Sequence, residues 1–337
     1  MPASSEELAS ALAGQAALGN IIRLGGAFSK DAAGGPLTKL PSVTISTTRL
    51  RTVRRYEPSD LTVSVDAGMP WAELSALLER NRQTVPIDPP WFERSTVGGV
   101  VAANYSGPRR RAFGTARDHV IGMRFATLEG KVVESGGMVV KNVAGLDMGK
   151  LMIGSWGTLA AMVSVNFKLT PIPECTRTFV RPFEKLADAV ESRNGILRGV
   201  LQPWAVDLLN PKAANEFGYQ GWTLALQAGG SAALMTRYAT ELAGFEALAD
   251  ETPFWTAIRE FPTRGVIARR FALDELAPAM AACTGSAIAR AGSGILYEAS
   301  TGFAKPPEPE GFEIMRRVKA MFDPNSLLNP GRLNGLL

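Results

Sequence analysis

Arg23-Leu24-Gly25-Gly26-Ala27-Phe28-Ser29-Lys30 and, further on, Ser95-Thr96-Val97-Gly98-Gly99 decide how this chain is read. Each sets two adjacent glycines beside an apolar run. Without a Cβ, paired glycines let several backbone N–H groups converge on one anion and let another backbone pass close by. Arg23, Lys30 and the Ser29 hydroxyl add charge and donors to the first stretch. Taken alone, the first reads better as a tight turn between two strands, and the second as no more than a loop. Neither matches the common nucleotide fingerprints. A Walker loop needs G-x-x-x-x-G-K-[ST]; residues 145–151 fall one residue short and lack the hydroxyl. A dinucleotide turn needs G-x-G-x-x-G leading into a helix; Gly292-Ser293-Gly294 ends on Tyr297 and precedes a strand pattern.

The surroundings of these stretches alternate helix and strand signals. Ser4 and Glu7 form a capping-box pattern, with Leu8 and Leu12 at helical spacing before Gly19. Short strands are expected at residues 20–24, 43–47 and 61–65, and Pro70 opens a helix to about Arg80. Residues 86–157 are dense in Pro and Gly turns, and long loops within a domain are usually functional. Val163, Val165, Phe167 and Leu169 alternate as in a half-buried strand. Thr170-Pro171-Ile172-Pro173 marks a boundary, dividing the chain into 1–174 and 175–337. Beyond it, helices near 183–193, 232–248 and 274–283 alternate with strands near 222–227, 265–271 and 294–299. The fold class expected is α+β.

Composition excludes several functions. The chain has 337 residues, 34 of them Gly, with two Cys and one His. His119 alone cannot supply a multi-histidine zinc site, and Cys175 and Cys283 are too few for a cluster or a disulfide framework. They read as free thiols in a reducing compartment, and His119 as structural. A net charge of +4 is too mild to argue for nucleic acid. No basic start or membrane-length apolar run is seen, so the expected location is cytoplasmic, peripheral to the inner membrane through partners at most. Arg109-Arg110-Arg111 reads as a solvated surface loop ahead of a docking patch for an acidic partner.

The order of motifs says more than any one of them. The first glycine loop is followed by Thr96-Val97-Gly98-Gly99, Asn104 to Gly107, Gly114 to Asp118, Lys141-Asn142-Val143-Ala144-Gly145-Leu146-Asp147 and Gly154-Ser155-Trp156-Gly157-Thr158-Leu159. Over residues 5–175 this set resembles the FAD-binding domain of the vanillyl-alcohol-oxidase (PCMH-type) flavoprotein family. Residues 321–332, Met-Phe-Asp-Pro-Asn-Ser-Leu-Leu-Asn-Pro-Gly-Arg, resemble the C-terminal signature of the FAD-linked oxidases. Ser106-Gly107-Pro108-Arg109-Arg110, taken with residues 140–145, is most similar to the E subunits of bacterial glycolate oxidases.

The resemblance implies a two-subdomain FAD domain followed by a smaller sandwich-like domain, with residues 320–335 returning to the flavin domain. It implies that the FAD pyrophosphate lies on Gly25, Gly26, Ala27, Phe28 and Ser29, beside Arg23, and on Thr96, Val97, Gly98 and Gly99. Asn104, Ser106 and Gly107 would follow the ribityl chain and ring. Lys141 would place positive charge by a reduced flavin, or serve as a loop salt-bridge partner. Val163 would give a backbone contact, or be a plain core residue. In the second half, Asn329 is the one candidate to reach the flavin edge. Many relatives attach flavin through a His in the first loop; here Gly26-Ala27-Phe28 has none, so noncovalent FAD is expected. The family's 2-hydroxy-acid dehydrogenases also use a His cluster in the second domain, and this chain has no His beyond residue 119. A base would have to be Lys, Asp, Glu or Tyr. The implied function is oxidation of glycolate to glyoxylate in a complex with a sister flavin subunit and an iron–sulfur subunit. The alternatives are a non-catalytic assembly or electron-transfer subunit, and a stand-alone oxidase of another small alcohol.

Overall fold

The computed structural model describes residues 1–138, 147–300, 308–335 and 337. Its first half builds a five-stranded sheet in the order Val53–Glu57, Thr62–Asp66, Ala161–Lys168, Val120–Ala126 and Val132–Gly136, with every neighbour antiparallel. One face packs on the helices Trp71–Glu79 and Val97–Ala103, through Trp71, Leu74, Val97 and Val101 against Val165 and Phe167. The other packs on the helix Ser5–Ala17 and on a parallel pair, Ile22–Gly25 with Val43–Ser46. Ser4 caps that first helix by accepting the Glu7 N–H at 3.1 Å.

The central strand Ala161–Lys168 is therefore covered on both faces, where the alternating pattern predicts burial on one. A bulge supplies the reason. The register against Val120–Ala126 slips between Arg124 and Phe125, which pair with Ser164 and Met162, leaving Val163 without an opposite residue. An extra residue at a bulge turns the side chains beyond it to the opposite face. Val163 thus joins the cluster of Leu8, Leu12, Ile22 and Leu24, while Val165 and Phe167 join the other.

The second half forms a seven-stranded antiparallel sheet in the order Glu246–Ala247, Cys175–Phe183, Trp222–Gly230, Ala205–Leu209, Ala287–Arg290, Ile295–Ala299 and Val266–Arg270. Leu186–Arg198, Ala232–Glu241 and Leu276–Ala281 cover one face, and Pro211–Glu216 with Thr252–Glu260 cover the other. Cys175–Phe183 and Ala205–Leu209 were not expected as strands, nor Phe312–Phe322 as a helix. The helix expected over 232–248 ends at Glu241, because Glu246–Ala247 adds an edge strand to the sheet. The chain then returns to its beginning: Leu328 bridges Ile22 in parallel. Among the described residues no helix is long and apolar enough to cross a membrane.

Candidate functional site

A cleft of about 710 Å3, counted to its open mouth, lies where the parallel pair, the helix Val97–Ala103 and the start of the strand Ala161–Lys168 converge. Residues 24–31 form one wall, Thr96, Gly98, Gly99, Ala102 and Ala103 a second, and Trp156, Gly157 and residues 160–162 a third.

The first wall follows from its glycines. The strand Ile22–Gly25 ends against Phe28, whose ring stands 2.6 Å from where a Gly25 Cβ would lie. A Cβ on Gly26 would sit 2.1 Å from Thr96 Oγ1, so glycine here is what lets the two glycine-rich stretches touch. Phe28 itself takes a positive φ of 55°. The consequence is electrostatic. The backbone N–H groups of Gly26, Ala27, Phe28, Ser29 and Lys30 have no acceptor among the described residues. Consecutive unpaired N–H groups at a cleft wall form an anion-binding concavity. Lys30 closes it. Its side chain is 6% exposed, donates to Ser95 Oγ, and lies 5.6 Å from the Trp91 ring centroid. Burial, opposed by Glu260 and assisted by Arg94, brings its pKa down to about 7.

The second wall is of another kind. Thr96 caps the helix Val97–Ala103 by accepting the Gly99 N–H at 3.2 Å. Val97 N–H donates to Met69 O (2.8 Å) and Gly98 N–H to Ala67 O (2.7 Å). A Cβ on Gly98 would stand 2.9 Å from Ala67 Cβ. Gly98 serves close packing on Ala67, at the end of the strand Thr62–Asp66, and the N–H groups of Gly98 and Gly99 are already engaged.

A clamp holds the first wall from behind. Arg23 stacks 4.2 Å over Phe28 and pairs with Asp31, and Arg332 pairs with the same carboxylate while donating to Asp31 O (3.0 Å) and Gly35 O (2.8 Å). Asn329, 1% exposed, accepts the Leu24 N–H at 2.8 Å. Its amide donates to Leu24 O (2.9 Å), Trp156 O (2.9 Å) and Gly157 O (3.2 Å). Asp323 accepts from the N–H groups of Leu327 and Leu328 (2.9 and 2.7 Å) and pairs with Lys319, which also donates to Thr158 O at 2.7 Å. The residues of the C-terminal signature are the parts of this clamp.

The structure thus brings Gly25, Gly26, Ala27, Phe28, Ser29, Thr96, Gly98 and Gly99 together at the cleft. It places the other expected residues elsewhere. Arg23 and Asn329 stand behind the wall, and Asn329 does not line the cleft. The Val97 and Val163 side chains are in the core, and Val163 O accepts the Ala67 N–H at 2.9 Å. Asn104 ends the helix Val97–Ala103 at φ 51°, with its Oδ1 buried and without a partner among the described residues. Ser106 accepts from Arg110 at 3.1 Å. Gly107 is a glycine because a Cβ would meet Asp88 O at 2.3 Å. Lys141 lies outside the described residues, as do residues 142–146.

The arginine triplet is not a solvated loop: Arg109 is bidentate to Asp88, and Arg111 donates to Pro203 O (2.8 Å) and Gln202 (2.6 Å). It straps the two halves together. His119, its pKa lowered by burial, donates through Nε2 to Phe113 O at 2.8 Å. Trp156 and Arg332 lie within the motifs at 154–159 and 321–332, but sequence reasoning did not single them out as cleft residues.

The FAD binding domain family matches residues 1–136, and the C-terminal domain of the FAD linked oxidases matches residues 262–333. The chain is 29% identical to the glycolate oxidase subunit GlcE of Escherichia coli (strain K12), covering 91% of each chain. It is 29% identical to the glycolate oxidase subunit GlcD of Bacillus subtilis (strain 168) over 47% of this chain. It is 30% identical to a mitochondrial D-lactate dehydrogenase [cytochrome] of Arabidopsis thaliana over 56% of this chain. The matched region spans only 34% and 33% of those two proteins. Among solved structures, an alkyldihydroxyacetonephosphate synthase superposes with a TM-score of 0.75 at 17% identity, over 98% of this chain and 75% of that one. A substrate-bound p-cresol methylhydroxylase gives 0.72 at 12% identity, over 99% and 88%. At such identities the likeness is one of fold.

Proposed function

The chain belongs to the FAD-linked oxidase flavoproteins of the PCMH type and binds FAD, and from that premise we propose that it is the FAD-carrying subunit of a complex oxidising glycolate to glyoxylate. The coarser statement, an FAD-linked 2-hydroxy-acid oxidoreductase subunit, follows from the family and its hydroxy-acid relatives. The observation that carries the reading is the run of five N–H groups at residues 26–30 that have no acceptor among the described residues, beside a buried lysine on the cleft wall. The pyrophosphate of FAD is a dianion and needs such donors at close range. When bound, the flavin accepts the hydride released from the α-carbon of a hydroxy acid. The chain's own residues hold it. The N–H groups of residues 26–30 and the Lys30 side chain would face the phosphates, the clamp fixes the loop from behind, and Ala102 and Ala103 would leave room along the second wall. Among the described residues no His or Cys lines the cleft, which supports noncovalent attachment.

Releasing a hydride from the hydroxy acid also requires the hydroxyl proton to leave. Among the described cleft residues, Asp31 is fixed between Arg23 and Arg332, and Lys30 is the other titratable group besides Arg332. That scarcity supports a divided complex in which a sister flavin subunit of the GlcD kind removes the proton, and an iron–sulfur subunit takes the electrons. It equally favours the second reading, a flavoprotein serving assembly or electron transfer.

The experiment is a visible spectrum of the purified chain, repeated after denaturation and centrifugation, then anaerobic addition of glycolate. A yellow protein that releases its colour to the supernatant is expected. A colourless chain that cannot be reconstituted with FAD overturns the proposal, and colour in the pellet overturns noncovalent binding. Bleaching by glycolate assigns the chemistry to this chain; bleaching only in the complex assigns it to the partner.

A further inference from the structure

Lys30 is the unusual residue of the cleft. Its ammonium would be buried against Ser95 Oγ and the Trp91 ring, with no carboxylate within ion-pair distance among the described residues. The charges around it belong to every element packed there. Glu260 points to the N–H groups of Trp91 (2.8 Å) and Phe92 (3.1 Å), Arg94 follows in the same turn, and Asp31 is fixed between Arg23 and Arg332. Beside Lys30 stand the unpaired N–H groups of residues 26–30.

We propose that Lys30 is the counter-charge of the cofactor's pyrophosphate, and that it takes up a proton as FAD binds, so that loading of the cofactor is proton-coupled. The proposal rests on the FAD reading above. Burial disfavours the ammonium, and a dianion brought within reach restores it. The bare chain's Lys30, brought to about 7, is half charged near neutrality. With the dianion in place it returns toward the ordinary lysine value of 10.5.

The sign follows from linkage. Between the two values the bound state holds more protons than the free state, so raising the pH weakens binding, by up to about tenfold per pH unit. Below pH 7 the amine is charged in both states and the dependence flattens.

The test is titration calorimetry of FAD into the full chain freed of its cofactor, in buffers of different ionisation enthalpy, from pH 6 to 9.5. Uptake of about half a proton per FAD at pH 7, rising toward one by pH 8.5, is the result expected from an amine with its value near 7. Lys30→Met should bind FAD at least tenfold more weakly and take up no proton, with an unchanged circular dichroism spectrum. Lys30→Arg, charged in both states, should keep the better affinity while losing the proton uptake. Tight FAD binding by the wild type with no uptake across the range overturns the proposal and leaves the FAD reading standing. So does a Lys30→Met chain that keeps both affinity and uptake. A wild-type chain that binds no FAD overturns both.

Discussion

The two glycine-rich stretches look alike on paper and do opposite things. At residues 26–30 the backbone N–H groups are left open along the cleft, and the glycine at 26 permits contact with Thr96. At residues 97–99 every first-turn N–H already has an acceptor, in Met69, Ala67 and Thr96, and the glycine at 98 permits contact with Ala67. A glycine pair therefore does not itself announce a ligand. What separates a binding loop from a packing loop is where the neighbouring N–H groups end. Here one loop is built to hold an anion, and the other to bring a helix close enough to support it.

That contrast can be broken most directly at Ala27, which is exposed on the first loop and lines the cleft. Ala27→Glu places a carboxylate among the open N–H groups and should weaken FAD binding by more than about a hundredfold, about 3 kcal/mol, through repulsion and occupation of the donors. Ala27→Gln should lose far less. Fluorescence titration of FAD measures both, and equal losses would mean that charge at this loop is irrelevant.

Asn329→Ala removes the buried amide that holds Leu24, Trp156 and Gly157, and should cost about 2–4 kcal/mol of stability. Because it releases the first wall from behind, FAD affinity should fall as well, and FAD should restore part of the lost Tm. A variant with lower Tm and native affinity would uncouple clamp from cleft.

Gly98→Ala should act on the other side of the contrast. The added methyl presses on Ala67 and should destabilise by about 1–3 kcal/mol, seen as a lower denaturation midpoint. FAD affinity of the folded fraction should change less than threefold. A large loss of affinity at native stability would make the second stretch a binding loop after all. Smallest is Thr96→Ala, which removes the cap of the helix Val97–Ala103 for about 1 kcal/mol and should move Tm by a few degrees.

Much of this was legible in the chain, for reasons that differ by residue. The strands Ile22–Gly25, Val43–Ser46 and Thr62–Asp66 and the helix Trp71–Glu79 fall within a residue or two of their periodic signals. Local pattern and final burial agree there. Cys175–Phe183 was missed because it carries Thr and Arg at positions where a strand usually advertises itself with apolar residues. Val163 could not be placed because a bulge changes faces without any mark in the sequence. The first loop was visible as a candidate, but its open N–H groups were not: whether an amide has an acceptor depends on chain folded around it. Arg109 looked solvated because its partner, Asp88, sits in a different turn. Asn329 and Arg332 were visible as a signature without a cause, and the cause is three-dimensional.

The clamp has a consequence for the order in which the molecule can be completed. The strand that starts the cleft receives its last partner from a residue 305 positions later in the chain. A ribosome releases Leu24 and Asp31 long before Asn329 and Arg332 exist, so during synthesis the cleft wall waits with one side open. Contacts of such separation form late and slowly. A chain cut short just before that segment keeps its strands yet lacks the fastening, and it should fail to retain FAD. Cofactor retention is in this sense a record that synthesis has passed Arg332.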